Sequence, residues 1–180
     1  VIAGCNEHPL VPFGPLVEGE RRDVVLSERP KVDVLWVVDN SSSMEEEQAR
    51  LRENFDLFID ELAAADADFH LAVTTTEMEP FGASRTLTPQ QGRFQNTPDG
   101  RPSPNGVGGV DVSHCGGQPL VLRSTEYRSD SGALDTAALK RDFGCNATVG
   151  LHGSGFEQGL EAALTALTSP LIDTYNAGFL

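Results

Sequence analysis

The segment from Val32 to Val38 constrains the fold of this chain more than any other. Its sequence, VDVLWVV, contains apolar residues interrupted only by Asp33. A nearly continuous apolar run of this length is typical of a strand buried on both faces, as in a parallel α/β sheet. The polar segment from Asp39 to Ser43 follows at once and predicts that the strand ends there.

A helix and a second strand are predicted directly after this polar segment. We expect the helix from about residue 44 to about 65, because apolar residues recur there at steps of three and four. Ser43 and Glu46 are spaced as a capping box for its first turn. Its inward stripe, apolar except at one position, is Met44, Gln48, Leu51, Phe55, Phe58, Ile59 and Leu62. The segment from Phe69 to Thr75 predicts the second strand, and strand, helix and strand together form a βαβ unit.

The remaining chain predicts a long insertion followed by two more helices. Residues 77–131 show no clear period and are rich in Gly and Pro, although Pro119 to Leu122 has the pattern of a short strand. Residues 133–143 are expected to be helical. A further helix is expected after Gly155 and before Pro170. Its predicted apolar stripe is Phe156, Leu160, Ala163, Leu164 and Leu167.

Three polar side chains alternate in the segment that ends the first buried strand. Asp39, Ser41 and Ser43 can point to one side of a tight turn, where they present one carboxylate and two hydroxyl groups. These are hard oxygen ligands, suited to Mg²⁺ and similar cations. The carboxyl edge of an open α/β sheet is also where ligand sites gather. Ser and Asp are common helix caps as well, but capping needs one such residue rather than three.

The pattern Asp-x-Ser-x-Ser at residues 39–43 resembles the metal-ion-dependent adhesion site of von Willebrand factor A-type domains. A second motif of that family, Gly-Thr-x-x-x-x-Gly-Leu, is similar to Gly153 to Leu160, with Ser154 in place of Thr. The resemblance implies a doubly wound, mostly parallel sheet flanked by helices, of the Rossmann-like kind. It implies that Asp39, Ser41, Ser43 and Ser154 bind a divalent cation, Mg²⁺ first, with Mn²⁺ or Ca²⁺ as alternatives. It also implies a protein-binding module, in which a carboxylate of a partner protein fills the open metal position.

The chain departs from the family at the third metal residue. That residue is an Asp after the next buried strand, and no apolar strand follows the helix that ends near Leu167. We therefore expect that strand and its Asp beyond Leu180, so that residues 23–180 form a partial domain.

The first five residues resemble a bacterial lipobox, in which the thiol of Cys5 carries the lipid. Residues 1–22 would then be the end of a signal peptide, the lipobox and a Pro-rich tether. This predicts a lipoprotein of the cell envelope, and Asn6 after the cysteine favours the outer membrane. In such a compartment Cys115 and Cys145 can form a disulfide, and two buried free thiols are the alternative.

Charge and the remaining motifs exclude several classes of function. The net charge of −14 argues against nucleic-acid binding and against adhesion to anionic membranes through basic residues. No run of about 18 apolar residues predicts a transmembrane helix, so membrane contact is expected only through a lipid at Cys5. A hydrolase of phosphate esters using Asp39 remains an alternative, although those enzymes favour Asp where Ser41 stands. A structural domain with an unused metal site is the other alternative, and we expect no catalysis.

Overall fold

The computed structural model describes residues 29–79, 90–96 and 113–180. The predicted lipid site at Cys5, the rest of residues 1–22 and much of the insertion lie outside the described residues. The elements are β1 (Lys31–Val38), α1 (Glu45–Ala64), β2 (Asp68–Thr75), β3 (Val121–Arg123), α2 (Thr136–Ala147) and α3 (Gly159–Ala166). Two short 3₁₀ turns, Ser42–Met44 and Ser124–Tyr127, precede α1 and α2.

The three strands form one mixed sheet in the order β1-β2-β3. β1 and β2 are parallel, with Lys31 opposite Asp68 and Val38 opposite Thr75. β3 runs antiparallel to β2, with Leu122 opposite Leu71. The predicted parallel pair and its helical crossover are therefore present, whereas the direction of β3 was not predicted. The architecture is a small mixed α/β fold.

Helices cover both faces of the sheet. Alternate strand residues point to opposite faces, so β2 contributes apolar side chains to a core on each face. On one face, Phe69, Leu71 and Val73 pack with residues of α1 and α2 in the larger of two apolar cores. On the other face, Ala72 packs with Ala166 of α3 and with the rings of Phe94 and Phe179. Both cores therefore share β2, whose apolar residues are almost completely buried.

An aromatic cluster joins β1 to the two helices of the larger core. The ring of Trp36 meets the rings of Phe55, Phe58 and Phe143 edge-on, at centroid distances of 5.8, 5.4 and 5.8 Å. Edge-to-face pairs at such distances are favourable beyond the apolar area that they bury. Trp36 thus connects β1 to both helices. The prediction that this strand is buried on both faces is wrong, since only Val38 is fully buried, because β1 lies at the edge of the described three-stranded sheet.

The buried face of α3 differs from the predicted stripe. Ala162 and Ala166 are completely buried, whereas Leu160 and Leu164 are 91 % and 60 % exposed. The reason is close packing, because a Cβ atom on Gly92 would lie 2.9 Å from the backbone nitrogen of Ala166. Small residues allow this approach, so alanines rather than leucines face the 90–96 segment.

Two further contacts tie the chain after β3 to the rest of the molecule. Cys115 and Cys145 form a disulfide with a Cα–Cα distance of 5.6 Å, which connects the segment before β3 to α2. The buried Asn176 side chain donates to the carbonyl oxygens of Gly92 and Ala166, both at 2.9 Å. Within the described ranges, no helix has the length and apolar character needed to cross a membrane.

Candidate metal site

Asp39 lies at the edge of the sheet where the parallel strands β1 and β2 both end. The backbone of Thr76, the first residue after β2, donates to the Val38 carbonyl oxygen at 3.2 Å. The Thr76 hydroxyl group lies 3.5 Å from Asp39 Oδ1 and donates to it. The parallel pairing of two strands therefore places a carboxylate and a threonine hydroxyl side by side.

The structure brings together the three alternating residues that follow β1. The Ser41 amide donates to Asp39 Oδ1 at 2.8 Å, and its hydroxyl group donates to Asp39 Oδ2 at 3.2 Å. The hydroxyl oxygens of Ser41 and Ser43 are also 3.2 Å apart. One carboxylate and two hydroxyl groups thus form a continuous patch of oxygen atoms that are suitable as hard metal ligands, and the patch is partly open to solvent.

These serines do not cap α1. Met44 occupies the N-cap position of α1, and no side-chain hydrogen bond caps the helix there. The predicted capping box of Ser43 with Glu46 is therefore wrong. The physical reason is the intervening 3₁₀ turn, Ser42–Met44, which shifts the helix start beyond Ser43. The Ser43 hydroxyl group pairs with Ser41 instead, as part of the oxygen patch.

A second loop is held against this patch by its backbone. The Gly153 amide donates to the Asn40 carbonyl oxygen at 2.8 Å, and the Gln158 amide donates to the Thr76 carbonyl oxygen at 3.1 Å. The loop from residue 153 to 158 is therefore fixed at both ends to the residues that follow β1 and β2. Ser154 is buried within it, and its hydroxyl oxygen accepts from the Phe156 amide at 2.9 Å. The fourth predicted ligand thus lies on the adjoining loop, with its hydrogen bond made inside that loop.

Gln48 supports the site from α1, a role that the sequence analysis did not assign. Its side-chain nitrogen donates to the carbonyl oxygen of Asp39 at 2.7 Å and to that of Gly150 at 3.0 Å. One amide group thereby connects the end of β1 to the segment that leads into the second loop. The signal was present in the sequence, since Gln48 is the polar position in the otherwise apolar stripe of α1.

Glu157 lies on the second loop, directly before the N-cap residue of α3. α3 begins at Gly159 and carries Glu161 in its first turn, so Glu157 lies before the helix. A side-chain hydrogen bond with Asp39, and then the negative charge of Asp39, raise the pKa of Glu157 above its usual value.

Another group of potential metal ligands lies away from this edge of the sheet. Ligand atoms of His114, Cys115 and Cys145 lie within 4.8 Å of one another. The two cysteines form a disulfide, however, and a thiolate rather than a disulfide sulfur is the usual metal ligand. The hard oxygen patch around Asp39 is therefore the better candidate for a divalent cation.

No family model, curated protein or solved structure matches this chain.

Proposed function

We propose that this chain is a von Willebrand factor A-type domain that binds a divalent cation and uses it to bind a protein partner. The observation that carries the proposal is the contact among the oxygen atoms of Asp39, Ser41 and Ser43 at the shared end of two parallel strands. Mg²⁺ is the cation that we propose first, and Mn²⁺ or Ca²⁺ would use the same ligands. In this proposal the lipid anchor at Cys5 holds the module in a bacterial cell envelope.

The arrangement of the two loops supports this cation site. Asp39 supplies a negative charge, and Ser41 and Ser43 supply neutral oxygens that sit next to it. The backbone bonds at Gly153 and Gln158 keep the loop that carries Ser154 beside this group. A cation held mainly by hydroxyl groups retains much of its positive charge, so it attracts a carboxylate from a partner. With the chain at −14, that partner is expected to be neutral or basic around its one coordinating carboxylate.

The experiment is a calorimetric titration of Mg²⁺, Mn²⁺ and Ca²⁺ into the 180-residue chain and two serine variants. Ser43→Ala removes a proposed ligand, whereas Ser42→Ala removes the exposed serine beside it, which lies outside the alternating pattern. We expect saturable binding by the unmodified chain and by Ser42→Ala, and binding about tenfold or more weaker in Ser43→Ala. Asp39→Asn should abolish binding, because it removes the charged ligand.

Equal affinities of Ser43→Ala and Ser42→Ala, or no saturable binding by the unmodified chain, would contradict the proposed cation site. Partner binding is tested separately, by capture of envelope proteins with the cation and with a chelator. Capture that a chelator leaves unchanged would indicate a structural domain with an unused metal site. Turnover of a phosphate ester that is lost in Asp39→Asn would instead indicate a hydrolase.

A further inference from the structure

The disulfide between Cys115 and Cys145 has a histidine beside it. Ligand atoms of His114, Cys115 and Cys145 all lie within 4.8 Å of one another. In a tetrahedral zinc site, bonds of about 2.3 Å to sulfur and about 2.0 Å to nitrogen place two sulfurs about 3.8 Å apart, and a sulfur and a nitrogen about 3.5 Å apart. These separations fit within the cluster, so the three side chains can surround one metal ion once the two sulfurs are no longer bonded to each other.

The disulfide is not the only contact between the two segments that carry this cluster. His114 and Cys115 lie in the segment before β3, and Cys145 lies in α2. The Asn146 side chain, also in α2, donates to the Pro119 carbonyl oxygen of the first segment at 3.0 Å. Reduction of the disulfide therefore leaves a second contact that keeps the two cysteines near each other.

A cavity beside the disulfide gives a small reductant and a metal ion access to the cluster. It has a volume of about 460 Å³, and its lining includes His114 and Gly116, the two chain neighbours of Cys115. Cys115 is half-buried, whereas Cys145 is only 2 % exposed. A Cβ atom on Gly116 would meet no atom within 4 Å, so the backbone after Cys115 has room to shift when the bond between the sulfurs opens.

We propose that the reduced form of this chain binds Zn²⁺ through His114, Cys115 and Cys145. An external dithiol supplies the two electrons. Its thiolate attacks one sulfur of the disulfide, the bond between Cys115 and Cys145 breaks, a disulfide forms in the reductant, and its two protons pass to the cysteines. Zn²⁺ then replaces these two thiol protons, which leave to solvent, and the neutral imidazole of His114 supplies a nitrogen lone pair. Either the disulfide or the cation thereby joins the segment before β3 to α2.

The ligand types separate this site from the oxygen patch around Asp39. Thiolates and imidazole are soft to intermediate ligands that suit Zn²⁺, whereas carboxylate and hydroxyl oxygens suit Mg²⁺ and Ca²⁺. A buried thiolate without a cation is costly, and Zn²⁺ balances the charge of both. Water from the cavity takes the fourth position, because the Asp142 carboxylate, which also lines the cavity, already accepts from Tyr127 at 2.8 Å and from Arg141 at 2.9 Å.

The test is a titration of Co²⁺, followed by Zn²⁺, into the 180-residue chain with Cys5→Ser, in which Cys115 and Cys145 are the remaining cysteines. The chain is reduced with dithiothreitol, which is then removed in the absence of air, and it is compared with the oxidised chain. Co²⁺ bound to thiolates shows sulfur-to-metal charge-transfer absorption. We expect this absorption to saturate at a single Co²⁺ per reduced chain, to be absent from the oxidised chain, and to disappear when Zn²⁺ displaces Co²⁺.

His114→Ala tests the nitrogen ligand, and His152→Ala is its control, since His152 does not belong to the cluster. We expect His114→Ala to weaken Co²⁺ and Zn²⁺ binding by the reduced chain about tenfold or more, and His152→Ala to weaken it no more than about twofold. Asp39→Asn should leave this binding unchanged, because Asp39 belongs to the separate oxygen patch. Circular dichroism should show that the variants remain folded.

Alkylation of the cysteines by iodoacetamide gives a second measurement. Zn²⁺ should slow the alkylation of Cys115 and Cys145 in the reduced chain about tenfold or more, because a thiolate bound to the metal is less available as a nucleophile, and His114→Ala should remove most of this protection. A reduced chain that binds neither metal saturably, or that unfolds on reduction and does not refold with Zn²⁺, would overturn the inference. Equal affinities of His114→Ala and His152→Ala would also overturn it and would leave the disulfide as a structural cross-link only.

Discussion

Replacing Gly153 with Ala should separate the two loops that form the candidate site. A Cβ atom on Gly153 would overlap the terminal amide group of the Asn40 side chain. That amide group is buried and donates to Glu77 Oε2 at 3.3 Å, so it can move only by giving up this bond. The loss of the bond costs about 1 kcal/mol, and a strained side-chain torsion about another 1 kcal/mol. The expected destabilisation of Gly153→Ala is therefore about 2 kcal/mol, which lowers the ratio of folded to unfolded chains about 30-fold.

Gly155→Ala is the matched control in the same loop. A Cβ atom on Gly155 meets no atom within 4 Å, and its backbone torsion lies outside the left-handed region. We expect its stability to be unchanged or to rise by up to about 1 kcal/mol, because Ala restricts the unfolded chain more than Gly does. The contrast between the two variants isolates the contact with Asn40 from the general effect of adding a methyl group.

Urea unfolding followed by tryptophan fluorescence measures this contrast. The chain has a single tryptophan, Trp36, which packs against the rings of Phe55, Phe58 and Phe143 and so reports on the larger core. Equal slopes of the unfolding transitions are required before the midpoints are compared. Identical midpoints for Gly153→Ala and Gly155→Ala would refute the argument, because they would mean that the loops are not packed through Asn40.

Two further predictions concern parts of the molecule away from the site. Replacing Cys115 and Cys145 together by Ser should destabilise the chain by about 3–4 kcal/mol in urea unfolding, because the disulfide joins residues 30 positions apart and restricts the unfolded chain; an unchanged midpoint would contradict this. Asp66→Asn should lower stability at neutral pH, since Asp66 pairs with Arg29 and Arg128, each at 2.9 Å. The hydrogen bond from Arg29 is the main cause of the lowered pKa of Asp66. The stabilisation of the folded chain by ionised Asp66 is therefore fully present above the ordinary Asp pKa of 3.8 and is lost as the pH falls through the lowered pKa. The difference between the unmodified chain and Asp66→Asn should therefore shrink in strong acid, and a difference that persists there would refute the ion-pair explanation.

The elements with long and regular patterns were predictable from the sequence. The strand expected at residues 32–38 is Lys31–Val38, and the helix expected from about 44 to 65 is Glu45–Ala64. In the helix, the spacing of apolar residues reports which side is buried, because the whole element lies against one large core. In the strand, the continuous apolar run predicted the element but not its burial, which is partial. The parallel pairing followed, since a helical crossover returns the chain in the same direction.

Features that depend on the packing of distant segments were not predictable. The direction of β3 is set by its pairing with the middle of β2, and three residues carry too little pattern to reveal it. The buried face of α3 is set by Gly92, which is far away in sequence and allows the chain to approach Ala162 and Ala166 closely. An apolar stripe indicates which side of a helix is suited to burial, but not which neighbours lie there.

In the candidate site, likewise, the types of residue were predictable from the sequence, whereas the surroundings of one carboxylate were not. Alternation of Asp39, Ser41 and Ser43 was enough to predict that their oxygens meet, because the relevant contacts span two residues. The position of Glu157 was not predictable, because a shift in the helix start decides whether a carboxylate faces the helix amides or another loop. α3 begins two positions after Glu157, and the amide of the next residue, Gln158, donates to the Thr76 carbonyl oxygen. Motifs therefore identified candidate residues on both loops, whereas the way in which the second loop faces the first depends on the backbone contacts that hold the two loops together.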